Sequence, residues 1–183
     1  YIAVITIATI VAKDLSGGSA LAGLPGAAIV LGSAGASQLL SRFMAQAGRR
    51  AGLVLGYCIG ATGTLVAGIA VISSTFPLFL LATVAMGFAN AANQLSRYTA
   101  ADMYVETRRA TAIGLVVWGS TLGAVVGPNL VTLAGDAASA LHISRLAGPY
   151  GIAFLFVGAA ALLTLLFLRP DPASLAPAVP RAA

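Results

Sequence analysis

Charge is the scarcest property of this chain: of its 183 residues only 8% are Asp, Glu, Lys or Arg, whereas 59% are hydrophobic. A soluble domain carries about 25% charged residues, because its surface must be hydrated. The composition therefore excludes a soluble domain and predicts an all-α integral membrane protein in contact with the lipid bilayer. Although the formal net charge is +5, a nucleic-acid partner is not expected, because basic residues in a membrane protein report on its orientation.

Cysteine and histidine are nearly absent, with one residue of each, Cys58 and His142. A single thiol excludes an internal disulfide and a cysteine metal cluster, and we expect Cys58 to be a buried small hydrophobic residue. His142 has no second histidine beside it, so no metal site is predicted. The sequence shows no nucleophile–base set, paired carboxylates or phosphate-binding loop, so neither an enzyme nor a bound cofactor is predicted.

The apolar runs predict one bundle of six membrane-spanning helices over residues 1–168. The first run, 1–12, would rise only about 18 Å against a hydrocarbon core of about 30 Å, so we expect the chain to begin inside its first helix. The uncharged stretch 51–96 is long enough for two crossings. The predicted spans are about 1–12, 21–41, 51–73, 77–97, 110–134 and 149–168, and 169–183 is a Pro/Ala-rich linker or tail.

The basic residues divide unevenly between the two sides of this bundle. With the spans alternating in direction, one side receives only Lys13 and Arg145 of the ten Lys and Arg residues. The other side receives Arg42, Arg49, Arg50, Arg97, Arg108, Arg109, Arg169 and Arg181. An excess of Lys and Arg is typical of the cytoplasmic side. The sequence therefore predicts a multi-pass protein of the inner (plasma) membrane whose basic loops and C-terminal tail are cytoplasmic.

A glycine ridge lies in the fifth span, where Gly119, Gly123 and Gly127 recur every four residues before Pro128. This spacing places the glycines along one face of a helix, and a bare face lets a neighbouring helix approach closely. Pro128 cannot donate a backbone hydrogen bond, so we expect a bend there and a hydrogen bond from Asn129 to a freed carbonyl. The ridge is typical either of ordinary helix packing or of a helix that rocks against a partner.

The fourth span carries a polar stripe of Asn90, Asn93, Gln94 and Arg97. Spacings of three and four residues place these side chains on one helical face. Polar groups in lipid are costly unless they are paired or face a watery cavity, so the stripe is expected to point inward. Two interpretations stay open: hydrogen bonding between helices, or the lining of a substrate path. Trp118 either stacks on a substrate or packs against other side chains of the protein.

The short basic segment after the second span ends in Gly48-Arg49-Arg50. At this point the chain resembles the major facilitator superfamily of secondary transporters, whose members carry a loop of the form G-x-L-a-D-R-x-G-R-R/K. Gly48, Arg49 and Arg50 fit this pattern. Where the family pattern has Gly, Asp and Arg, this chain has Ser41, Ala45 and Gln46.

The missing aspartate removes the charge partner that the family uses to hold this loop. Asp102 or Glu106, in the adjacent basic segment, is expected to supply a substitute carboxylate. The alternative is that Arg49 and Arg50 only anchor the chain by the positive-inside rule.

The fifth span is similar to a second family pattern, the Gly-x-x-x-Gly-Pro-x-x-Gly-Gly sequence of antiporters. Gly123, Gly127 and Pro128 match it, while Val131 and Thr132 replace its final glycines. The resemblance implies an exporter rather than an importer, with this helix sealing the interface between two halves. Proton-coupled members often carry an arginine in the fourth span where this chain has Thr83, so no proton carrier is indicated.

The resemblance implies the N-terminal six-helix half of a twelve-helix permease. Such a protein moves a small-molecule substrate, here of largely apolar kind, by alternating access against a missing C-terminal half. The implied roles are a cytoplasmic gate of Gly48, Arg49, Arg50 and Asp102, a moving interface of Gly119, Gly123, Gly127 and Pro128, and a substrate cavity of Asn90, Asn93, Gln94, Arg97 and Trp118. The alternative is a non-transporting six-helix module that acts as a scaffold or as a homodimeric half-transporter.

Overall fold

The computed structural model describes residues 2–104 and 106–169, and every regular element among them is helical. The helices are α1 (Ile2–Ser16), α2 (Leu24–Ala47), α3 (Arg49–Ile72), α4 (Phe76–Asp102), α5 (Arg109–Ala140) and α6 (Gly148–Phe167), with a short 3₁₀ turn at Glu106–Arg108. Five of them, α2 to α6, are long and apolar enough to cross a membrane. The predicted all-α membrane fold is confirmed. The predicted tail from residue 170 onward lies outside the described residues.

The helices alternate in direction and gather most of the arginines at one end of the bundle. This arginine-rich end is defined by Arg42, Arg49, Arg50, Arg97, Arg108, Arg109 and Arg169. The opposite end carries Lys13, Asp14, Asp136, His142 and Arg145. The distribution of basic residues that the sequence predicts is thus present in the fold.

Several helices run past the ends of the predicted spans into polar sequence. The segments 97–102 and 135–140, which were expected to be loops, are the last turns of α4 and α5. The basic segment after the second span is also helical up to Ala47 and breaks only at Gly48. Polar residues do not end a helix, because Ala, Arg and Gln are good helix formers. The helices are therefore longer than the predicted spans at these turns, and the bounds of the spans in lipid stay a prediction.

The centre of the bundle is the close packing of α2, α3 and α4, which depends on glycine. A methyl group added at Gly87 of α4 would lie 2.5 Å from the backbone nitrogen of Ser33 in α2. A methyl group added at Gly63 of α3 would lie 2.8 Å from the backbone nitrogen of Met86 in α4. Such backbone approach is the mode of packing expected where lipid removes the hydrophobic drive between helices. α4 is therefore held firmly and provides a rigid mount for its polar side chains.

A second contact region lies nearer the opposite end, where α1, α3, α4 and α6 meet. Its largest members are Phe79 and Tyr150, both fully buried, whose rings meet edge to face with centroids 5.8 Å apart. Val11 of α1 packs in the same cluster. Aromatic pairs of this geometry contribute about 0.5–1.5 kcal/mol beyond their buried area. This cluster fixes α6 against α4 and sets the width of the space between them.

Cys58 does not occupy the buried position expected from the sequence. Its side chain is exposed, in a shallow groove between α3 and α6 on the outside of the bundle. The expectation failed because an apolar environment in a membrane protein is not the same as a buried one. A small thiol facing lipid avoids water as effectively as one in a protein core.

Candidate functional site

A cavity of about 520 Å³ lies between α4, α5 and α6, with further lining residues from α1 and α3. Its wall is mostly apolar and is formed on the α5 side by Gly123, Ala124, Gly127 and Val131 and on the α6 side by Ile152, Phe156, Val157 and Ala160. A volume of this order is within the range of small-molecule sites, about 300–1,000 Å³. The cavity therefore has the size and character of a site for a small, largely apolar molecule.

Three of the four residues of the predicted polar stripe line this cavity. Asn90, Asn93 and Arg97 face it from α4, together with Met86 one turn earlier. Gln94 does not line the cavity and is exposed instead. Successive residues of a helix are rotated by about 100°, so Gln94 points well away from Asn93. Gln94 therefore lies outside this cavity, and a substrate-binding role for it stays a prediction.

Asn90 shows that the two interpretations of the stripe are compatible. Its Nδ2 donates a hydrogen bond to Ser33 Oγ of α2, 3.1 Å away, and the residue also lines the cavity. Ser33 is itself buried, so this bond satisfies polar groups that lipid would leave unpaired. Asn90 thus joins two helices and presents the remainder of its amide to the cavity. The sequence does not reveal this partner, since 57 residues separate the two.

Arg97 is the charged member of the stripe and lies at the arginine-rich end of the cavity. Its Nε is buried and has no hydrogen-bond partner among the described residues. Of the lining residues that the structure describes, Arg97 is also the sole charged one. A guanidinium in a protein keeps its proton under all ordinary conditions. The cavity therefore contains a fixed positive charge without a neighbouring carboxylate on its described wall.

Trp118 is not part of the cavity wall. Its side chain is 65% exposed, and the cavity-lining residues of α5 begin with Ser120. Two residues along a helix correspond to a rotation of about 200°, so the indole points to the other side of α5. Trp118 therefore does not line this cavity, and a contact between it and a substrate stays a prediction.

Two glycines of the α5 ridge, Gly119 and Gly123, have open space around them in this bundle. A methyl group added at Gly119 or Gly123 would have nothing within 4 Å. Gly123 and Gly127 instead line the cavity. The predicted close approach is therefore not made within this bundle, and the ridge is open to a partner or to cargo.

Pro128 does not interrupt α5, which continues as one helix from Arg109 to Ala140. Asn129 Nδ2 donates to the carbonyl oxygen of Val125 at 3.2 Å. The carbonyl that loses its backbone donor at Pro128 belongs to Ala124. Asn129 therefore makes a side-chain hydrogen bond of the expected kind, but to the carbonyl of Val125 and not to the freed carbonyl of Ala124.

At the arginine-rich end, the first residues of α3 contact the ends of α4 and α6. Arg49 Nη2 lies 3.0 Å from Asp102 Oδ2, so Asp102 occupies the place of the substitute carboxylate. Arg50 donates from Nε and Nη2 to the carbonyl oxygen of Leu165, at 3.1 and 2.6 Å. A cation is favourable there, because the carbonyl ends of a helix carry a partial negative charge. Three helix ends, those of α3, α4 and α6, are thereby tied together.

Gly48 allows these contacts to form. Its φ of 94° lies in the left-handed region, where residues with a side chain are strained. This single residue separates α2 from α3, so α3 can begin immediately with Arg49 and Arg50. No other residue type makes so abrupt a reversal at so low a cost.

Together these features define a class: a multi-pass α-helical membrane protein with a cavity in its bundle and an ion pair between two helix ends. The family follows from sequence comparison. A sequence model of the Major Facilitator Superfamily matches residues 1–183, and the chain belongs to this family. The resemblance inferred from the two partial motifs is confirmed at the level of the family. No solved structure matches the chain.

Several relatives carry transporter names. The chain is 38% identical over 97% of its length to the uncharacterized MFS-type transporter YddS of Bacillus subtilis, covering 41% of that protein. It is 37% identical over 92% of its length to the uncharacterized MFS-type transporter YdeG of the same organism, covering 39%. It is 32% identical over 91% of its length to the riboflavin transporter RfnT of Brucella anthropi, covering 41%. The chain thus spans about two fifths of the length of the curated relatives it matches.

Proposed function

We propose that this chain is the N-terminal half of a permease that exports small, largely apolar molecules by alternating access. The observation that carries the proposal is the cavity of about 520 Å³, with apolar walls from α5 and α6 and a polar strip from α4. Family membership supports the transporter part, since the matched relatives bear transporter names. Neither enzyme chemistry nor a cofactor is part of the proposal.

In this mechanism the half rocks against a second six-helix half around a site near the middle of the bilayer. Gly119, Gly123 and Gly127 supply a face without side chains on which a partner helix can slide, and Pro128 follows it directly. Their open surroundings within this half support that role. Cargo would enter the cavity when the halves part at one end of the bundle.

The gate is assigned to the arginine-rich end, which is placed on the cytoplasmic side because of its excess of arginine. Arg49 and Asp102 make an ion pair between α3 and α4, and Arg50 binds the end of α6. Partly exposed pairs of this kind break and form readily, since their net stability is about 0–1 kcal/mol. Such contacts can stabilise one conformation of the bundle and still break when the helices move apart.

The name of RfnT gives riboflavin as the cargo of that relative. Riboflavin is therefore one test cargo for the full-length protein that contains this chain, beside neutral apolar dyes. We expect uptake of cargo into everted membrane vesicles, because everted vesicles expose the cytoplasmic face outward and an exporter would fill them. Uptake only by right-side-out vesicles would reverse the direction of transport.

Asn93→Leu supplies the decisive variant, because it removes a polar group from the cavity wall without adding a charge. Its control is Gln94→Leu, which changes the same kind of group on the adjacent, exposed position. The proposal predicts loss of transport for the first and little change for the second. Folded protein without transport of any cargo would favour the non-transporting membrane module.

A further inference from the structure

The charge on Arg97 is the feature of the cavity that a purely apolar cargo leaves unexplained. The Arg97 side chain belongs to the cavity wall, and its Nε is shielded from solvent with no hydrogen-bond partner among the described residues. Burying a guanidinium N–H group without a hydrogen-bond partner costs free energy. A ligand that brings an acceptor to this position would compensate that cost.

The polar groups around Arg97 on the cavity wall are neutral. Asn90 uses one amide hydrogen on Ser33, whereas Asn93 adds a second amide one turn before the arginine. Asp102, five residues beyond Arg97 on the same helix, is paired with Arg49 and is not part of the described wall. The wall therefore offers one full positive charge and neutral amide donors, which is the donor set for an anion.

We infer that the cavity binds organic monoanions, with a carboxylate held by Arg97 and Asn93 and an apolar body against α5 and α6. A guanidinium matches a carboxylate through two parallel hydrogen bonds, and one arginine compensates one negative charge. The apolar body would contact Val131, Ile152 and Phe156, which line the same cavity. This inference rests on the proposed function and narrows its cargo class.

The test uses two probes of nearly equal shape, 2-naphthoate and 2-naphthamide, that differ in charge. Their dissociation constants are measured on the full-length protein in lipid nanodiscs. We expect 2-naphthoate to bind at least about tenfold more tightly than the amide, since hydrogen bonds to charged groups are the stronger ones. Arg97→Gln should abolish that difference, and Arg97→Lys should keep part of it, because lysine retains the charge but not the planar fork.

Two further variants protect the test against a general loss of structure. Asn93→Asp places a carboxylate beside the intact Arg97, so it should weaken the binding of naphthoate much more than the binding of the amide. Arg109→Gln removes an exposed arginine at the same end that does not line the cavity, and both affinities should stay unchanged. If the Arg97 variants unfold, Asn93→Asp against Arg109→Gln still decides the question.

The outcomes separate this inference from the proposed function. Equal affinity for the two probes, unaffected by Asn93→Asp and Arg97→Gln, would overturn the anion site and leave the cavity as a site for neutral cargo. Binding of neither probe by protein that transports a neutral dye would overturn it as well. Loss of all transport by folded protein would instead count against the proposed function.

Discussion

Arg49 Nη2 lies 3.0 Å from Asp102 Oδ2, and this contact joins the first residue of α3 to the last residue of α4. Each charge is unfavourably placed for its own helix, because an arginine faces the positive N-terminal end and an aspartate the negative C-terminal end. The pair cancels both misplaced charges. Its side chains are 35% and 39% exposed, so its contribution to stability is at most about 1 kcal/mol. We interpret the pair as a contact that favours one conformation of the bundle, and not as a source of overall stability.

The first prediction concerns this pair. Asp102→Asn should lower the transport rate of the full-length protein severalfold while changing its thermal stability by about 1 kcal/mol or less. The exchange Arg49→Asp with Asp102→Arg should restore transport, because it keeps the pair and also places each charge favourably for its helix dipole. Transport rates in vesicles and unfolding temperatures in detergent are the measurements.

The control for the first prediction is a second ion pair at the opposite end of the bundle. Arg145 Nη2 and Asp136 Oδ1 are 2.8 Å apart with side chains 63% and 61% exposed. Asp136→Asn should leave transport unchanged. If Asp102→Asn and Asp136→Asn lowered the transport rate equally, the ion pair at the arginine-rich end would have no special role in transport.

The second prediction separates the glycine ridge from the cavity. Gly123→Leu should abolish both cargo binding and transport, because Gly123 belongs to the ridge and lines the cavity. Gly119→Leu should leave binding intact but impair transport, since Gly119 belongs to the ridge alone. Gly114→Leu, also on α5 with open space around it, is the matched control and should have neither effect. Normal transport by Gly119→Leu would contradict the sliding interface.

The third prediction concerns the packing of α2 against α4. Gly87→Ala should destabilise the bundle by about 1–3 kcal/mol, because the added methyl would overlap the backbone near Ser33. Gly35→Ala on α2, where an added methyl meets nothing within 4 Å, should be neutral or stabilising by up to about 1 kcal/mol. Thermal unfolding in detergent would show the difference, and equal unfolding temperatures would mean that this crossing is looser than described.

The sequence predicts the number, order and direction of the helices well, because run length and arginine placement are local properties. It predicts much less well which residues of each helix face the cavity, the neighbouring helices or the lipid. Gln94, Trp118 and Cys58 all lie on other faces than expected. In lipid both the packed and the outward faces of a helix are apolar, so the amphipathic signal that marks the buried face of a soluble helix is lost.

The glycines also show that the spacing of residues along the sequence does not predict which helices pack together. Gly119 and Gly123 belong to a regular four-residue repeat, yet a methyl group added at either would meet nothing within 4 Å. Gly52, Gly56 and Gly60 of α3 recur at the same four-residue spacing, yet a methyl group added at them would overlap Met44, Ala92 and Ala89 respectively. Which glycine meets a neighbour depends on the helix that crosses it, and that information is not contained in local spacing.

The most direct test of alternating access is the accessibility of Asn93→Cys, in a Cys58→Ala background, to a membrane-impermeant maleimide. If the cavity opens to each side in turn, the thiol should react both in right-side-out and in everted vesicles of the full-length protein. Cargo should slow the reaction in both, since Asn93 lines the site. Reaction from one side only, with no effect of cargo, would contradict transport through this cavity.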